Sequence, residues 1–181
     1  TMLVPSFVPE AYALEGLIPD LRQLIANFMT LNTSGNGRLV IIDRDHTEMT
    51  YAAAEFLSYR FTEVVIVTPR DRLASDCSLI NRQKIYRRLY LCGVKIITSC
   101  EPANLEDLEE GKVVIHNIYN GVAKDLTDIS MITYSCSRTP NDELVKPLKD
   151  GGYNVVRVGD CFAPRSLLAA TGQGFTVGCT V

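Results

Sequence analysis

The 181-residue chain has no tryptophan, and its six cysteines never stand as C-x-x-C. Cys77, Cys92, Cys100, Cys136, Cys161 and Cys179 are scattered, mostly through predicted regular elements, a spacing that fits buried thiols better than metal ligands or a disulfide framework. No apolar run approaches the roughly 18 residues of a membrane span and no basic-then-apolar leader opens the chain, so a soluble, intracellular, cytoplasmic protein is expected. Positive charge is not in excess either. Eighteen basic against 21 acidic residues leave a net charge of -3, which argues against nucleic acid as partner. No nucleophile–base pair, acid–base carboxylate pair or metal-ligand set stands out, so no catalytic or metal residue is assigned.

What is present begins with Leu39 to Pro69. Leu39 to Ile42 and Val64 to Val67 are apolar, β-branched runs, and Met49 to Tyr59 between them has helical spacing. This strand–helix–parallel strand order is how a dinucleotide-binding fold begins. Where such a fold carries G-x-G-x-x-G, the chain reads DRDHTEM, with no glycine at all. Asp45 as N-cap with Glu48 three residues on makes a variant capping box, and Met49, Ala52, Ala53, Phe56 and Leu57 form the expected packing stripe. Asp43, Asp45 and Glu48 set three negative side chains where a pyrophosphate would need open backbone N–H groups. His46 reads as a surface residue at the helix start. Arg70 and Arg72, after the second strand, are candidates for the ribose phosphate of NADPH, weighed against a solvated basic loop.

Around this unit, Met2 to Leu17 reads as an extended apolar segment lacking an evident partner, and Leu21, Leu24, Ile25, Phe28 and Met29 fall on one helix face after Pro19. Asn32 to Gly37 is a loop. Ser78 to Cys92 predicts a helix with Leu79, Ile80, Ile85, Leu89 and Cys92 inward and Gly93 as its stop; its arginines and lysine form a solvated face. From Val94 the period becomes that of strands: Val94–Thr98, a segment around Ala103–Leu108, Lys112–Tyr119 and Ile129–Ser135, with Asn120-Gly121 as a hairpin turn. This predicts an inserted β-meander whose acids are solvated and whose His116 is paired or half-exposed.

The last third carries Ser137-Arg138-Thr139-Pro140-Asn141, a strand Val155–Val158 ending in Gly159-Asp160, and a small-residue helix from Pro164 through Gly174. A strand ending in Gly-Asp before a helix resembles the closing segment of flavin-binding disulfide reductases, and SRTPN resembles their G-R-x-P-N crossover turn. In order, VIIDRDHTEMTYAAAEFL, VVIVTPRDRLASDCSLINRQKIYRRLYLCGVKI, SRTPNDEL and VGDCFAPRSLLAATGQGF resemble the C-terminal region of trimethylamine and dimethylamine dehydrogenases. Their wider relatives are the old-yellow-enzyme-type NADH:flavin oxidoreductases, including 2,4-dienoyl-CoA reductases. Asp43, Asp45, Met49, Ala54 and Glu55 fit the amine dehydrogenase tendency, whereas Thr50 and Tyr51 stand where small residues are common.

The resemblance implies an α/β fold, a Rossmann-like parallel sheet with an inserted β-meander, like the NAD(P) lobe of disulfide reductases. Residues 1–36 read as an N-terminal segment and helix, 37–137 as the NADPH-lobe-like domain, and 138–181 as the closing strand and helix of an incomplete FAD/ADP-like lobe. It implies a parent with an FMN-bearing TIM barrel and a 4Fe-4S cluster outside this chain. Gly159 and Asp160 are then the FAD- or ADP-contacting residues, and the chain itself holds ADP, FAD or NAD(P)H weakly if at all. Barrel and missing lobe are the expected partners, and a homodimer is allowed. Three functions follow: a non-catalytic nucleotide-binding-like domain, a live NAD(P)H domain delivering hydride to a flavin, or a stand-alone interaction module.

Overall fold

A computed structural model describes residues 18–31, 35–138 and 140–180, which divide into two units meeting at Cys136–Ser137. The expected extended segment Met2–Leu17, the loop residues Asn32–Ser34 and Thr139 lie outside the described residues.

The first unit is the predicted α/β fold. Its elements are α1 (Leu21–Leu31), β1 (Arg38–Asp43), α2 (Glu48–Ser58), β2 (Glu63–Val67), α3 (Leu79–Leu91), β3 (Lys95–Ile97), β4 (Cys100–Asn104), β5 (Val113–Asn117), β6 (Ala123–Leu126) and β7 (Ile129–Ser135). Four strands form a wholly parallel sheet in the order β3-β2-β1-β7, and β4-β5-β6 form a separate antiparallel sheet. The continuous apolar runs of β1 and β2 follow from burial on both faces.

Alternation along β1 sends Leu39 and Ile41 to one face, where Val64, Ile66 and Val94 join them against Leu21, Leu24 and Phe28 of α1, Ala54 and Leu57 of α2, and Ile85 and Leu89 of α3. Each fully buried leucine or isoleucine contributes about 1.5–3 kcal/mol. Phe28 meets Phe61 edge-on with ring centroids 5.4 Å apart, and Gly35 lies against the Phe61 ring so closely that an added Cβ would overlap it.

Several expectations need correcting. The meander was expected to include Val94–Thr98 and Ile129–Ser135, but β3 and β7 complete the parallel sheet, and the hairpin partner after Asn120-Gly121 is β6. β6 reads weakly because Ala123, Lys124 and Asp125 are exposed. Residues 106–108, read as the end of a strand, instead belong to a 3-10 turn over 106–110 closed by Gly111 at φ +71°, in keeping with Glu109-Glu110-Gly111 as a turn. The buried face of α2 is Thr50, Tyr51, Ala54 and Leu57, rotated from the predicted stripe, so Met49 and Ala52 face solvent. Met29 of α1 and Leu79 and Ile80 of α3 are likewise exposed.

The second unit contains α4 (Val145–Asp150), a 3-10 turn at Gly159–Cys161, and α5 (Leu167–Gly178), N-capped by Ser166 rather than opened by Pro164. The predicted strand Val155–Val158 is not formed: no strand lies beside it among the described residues of its unit, and a strand without a ladder partner is not a stable element. No described residue of this unit is buried, and Cys161 and Cys179 are exposed, against the expectation of buried thiols.

The two units predict opposite responses. Ile66→Ala should cost about 2–5 kcal/mol in urea unfolding, whereas Leu168→Ala, at a side chain 82% exposed, should shift stability by less than about 0.5 kcal/mol.

Candidate functional site

From β1 the chain runs through β2 to β3 on one side, then returns as β7 on the other. The order therefore reverses between β1 and β7, and open α/β sheets bind ligands beyond the carboxyl ends of the strands at such a reversal. Here those ends are Asp43 and Ser135, which share a register position.

Asp43 continues the Leu39–Ile41 face and points beneath α2, fully buried. Its Oδ1 accepts the backbone N–H groups of Asp45 at 3.2 Å and His46 at 3.0 Å, and its Oδ2 accepts the Tyr51 hydroxyl at 2.7 Å. Burial raises its pKa, opposed by nearby His46 and these donors. The Tyr51 hydroxyl accepts the N–H of Ala74 at 2.6 Å; burial, then the neighbouring carboxylate, pushes its own pKa up. The Asp45 and His46 N–H groups of the β1–α2 turn are thus occupied by an internal carboxylate.

The crevice is also bridged. Thr50 and Ser135 hydroxyls hydrogen-bond at 2.7 Å, and the Arg44 N–H donates to the Ser135 carbonyl at 2.8 Å. The predicted capping box is absent: Thr47 is the N-cap residue, Asp45 accepts the Thr47 hydroxyl, and Glu48 is exposed. His46, expected at the surface, is 2% exposed at φ +57°, a left-handed conformation costing roughly 1–2 kcal/mol outside glycine. Its Nδ1 lies 3.5 Å from Asp43 Oδ2, and burial pushes its pKa down despite that neighbour.

The other predicted residues lie elsewhere. Arg70 and Arg72 sit exposed on the loop after β2, Arg70 against Asp76 at 3.2 Å and Arg72 near Asp71 at 3.8 Å. Gly159 and Asp160 belong to the second unit, where the Gly159 N–H donates to Gln173 Oε1 at 2.8 Å. His116 is half-exposed, 3.6 Å from Glu101, which also accepts from Arg44 at 2.6 Å.

A cavity of about 660 Å³ lies at the opposite, amino end of the strands. Arg38 and Lys95 both pair there with Glu63, lowering its pKa chiefly through Lys95. Among the described residues no group of three or more His, Cys, Asp or Glu could hold a metal, and no helix is long and apolar enough to cross a membrane.

Sequence reading missed the Asp43–Tyr51–Ala74 chain and the Thr50–Ser135 bridge. The alternation of β1 carried one signal, since it turns Asp43 inward. Nothing local marks Ala74 or Ser135, which come from other segments.

No protein-family model and no curated protein sequence matches the chain. Solved structures do. The fold is similar to 6-hydroxypseudooxynicotine amine oxidase from Pseudomonas geniculata N1 (TM-score 0.78, 18% identity, 97% of this chain and 26% of that one). It is similar to histamine dehydrogenase from Rhizobium sp. 4-9 (0.72, 22%, 97% and 27%) and, covering a larger share of that protein, to Lactococcus lactis thioredoxin reductase (0.66, 18%, 94% and 59%). The chain thus spans about a quarter of the length of the first two, and shares the fold of a part of each.

The pair Asp43–His46 predicts a sign in pH titrations. A histidine with folded pKa below its unfolded 6.5 binds fewer protons when folded, so stability rises with pH up to about 6.5 and is complete above it. Asp43, raised from 3.8, has the opposite slope: stability falls as pH rises through its folded pKa. Asp43→Asn should therefore gain stability more steeply than wild type toward pH 6.5, and Asp43→Asn/His46→Gln should lose that rise, measured by thermal unfolding at successive pH values.

Proposed function

We propose that this chain is a nucleotide-binding-like lobe of a larger flavin-dependent oxidoreductase of the amine dehydrogenase or NADH:flavin oxidoreductase type, non-catalytic itself. The observation that carries the reading is the self-filled turn: Asp43 takes the Asp45 and His46 N–H groups, and Thr50–Ser135 bridges the crevice where β1 and β7 part. A dinucleotide does not fit this turn, because its phosphates would have to displace a buried carboxylate bonded to three donors. Gly159 and Asp160 do not fit FAD or ADP unaided, since the Gly159 N–H is taken by Gln173 and the strand before it is unformed.

The parent's FMN and 4Fe-4S cluster belong, on the family resemblance, to a TIM barrel outside this chain. The rest of the FAD-like lobe is the natural cover for the second unit. Its α5 is uncharged and exposes Leu167, Leu168 and Phe175, apolar surface that water disfavours. The lobe's work is then structural, together with contacts between subunits or with an electron acceptor.

A live NAD(P)H domain is the second reading, favoured only by Arg70 and Arg72 exposed beyond β2. Calorimetric titration with NADH, NADPH and ADP should give no saturable binding below about 1 mM. Micromolar NADPH affinity that falls on Arg70→Glu would replace the first reading with the second.

A further inference from the structure

The segment from Thr68 to Ser78 joins β2 to α3 and turns inward at its middle, where Leu73 and Ala74 have no exposed surface and belong to the core. Three ties hold it. The Ala74 N–H donates to the Tyr51 hydroxyl of α2 at 2.6 Å, the Leu73 N–H donates to the Tyr86 hydroxyl of α3 at 2.9 Å, and Cys77 Sγ lies 3.9 Å from the His46 carbonyl. Ala74 has φ +53°, a left-handed backbone that a non-glycine residue keeps only when its surroundings impose it. His46 has the same handedness on the other side of the tyrosine. Both are held by one chain of bonds: the His46 N–H on Asp43 Oδ1, the Tyr51 hydroxyl on Asp43 Oδ2, and the Ala74 N–H on that hydroxyl.

We propose that residues 70–77 form a strap fastened over the β1–α2 turn, with the Tyr51 hydroxyl as its latch. The strap closes the chain's own loop over that turn: Cys77 Sγ reaches the His46 carbonyl, and Leu73 and Ala74 are buried in the core with Tyr51, at the end of the sheet that open α/β folds leave accessible. Opening it parts two hydroxyl bonds, releases the left-handed Ala74 and uncovers Cys77 while the strands stay paired. The inference stands apart from nucleotide binding, because its signature is local opening in the absence of any ligand.

The test uses the full 181-residue chain. Thiol labelling with 5,5′-dithiobis(2-nitrobenzoate), read by peptide mass, compares half-buried Cys77 with buried Cys136 at the end of the sheet. Tyr51→Phe should raise Cys77 labelling and Leu73 and Ala74 amide exchange about tenfold, with Cys136 unchanged. Tyr86→Phe should speed Leu73 exchange and leave Ala74 nearly as protected as before. An unchanged Cys77 rate in Tyr51→Phe, or equal rises at Cys77 and Cys136, overturns the latch. Should Tyr51→Phe not fold, wild-type exchange in mild denaturant decides: strap amides exchanging together ahead of Ile41 and Ile66 support it, and exchange only with those core amides overturns it.

Discussion

A carboxylate removed from water must find donors inside the fold, and Asp43 finds three on two segments and reaches a third segment through one of them. Two are N–H groups of the turn that follows β1, one is a hydroxyl from α2, and that hydroxyl in turn holds the loop after β2. Leaving such a group unsatisfied costs several times what an ordinary hydrogen bond contributes, so the three segments cannot shift independently. The turn, the helix register and the loop path are coupled through one side chain. His46 and Ala74 keep their left-handed backbones within this arrangement, as both of their N–H groups end on it.

The same coupling explains how an α/β sheet can keep its architecture without glycines at the turn after its first strand. Glycine ordinarily supplies both the left-handed conformation and the room for a phosphate. Here a histidine adopts that conformation under constraint, while carboxylate and tyrosine fill the room. The two units contrast in this respect. The described residues of 18–136 enclose a core built on β1 and β2, whereas those of 137–180 bury none of their number and present apolar helix surface to water.

Much of the fold was legible along the chain. Strands β1, β2 and β7 read from their apolar runs, and helices α1, α2 and α3 from spacing and from punctuation such as Ser78 and Gly93. The faces of α2 and α3 were harder, because Met49, Leu79 and Ile80 are apolar yet exposed, while Thr50 is polar yet buried through its bond to Ser135. Strand β6 escaped notice for a related reason: three of its four residues are exposed and it pairs on β5 through the backbone, which composition does not report. Val155–Val158 failed in the opposite direction, with strand-forming residues but no neighbouring strand.

By itself the sequence determined the alternation of apolar strand and amphipathic helix, the absence of glycine at the first turn and the concentration of acids there, because these are properties of neighbouring residues. Only the tertiary structure decided that those acids have different fates. Asp43 is buried on three donors, Asp45 is bound to Thr47, and Glu48 is left in water. It also decided that Ala74 meets Tyr51 and Ser135 meets Thr50, since a loop, a strand and a helix are brought within hydrogen-bonding distance only by the folded sheet.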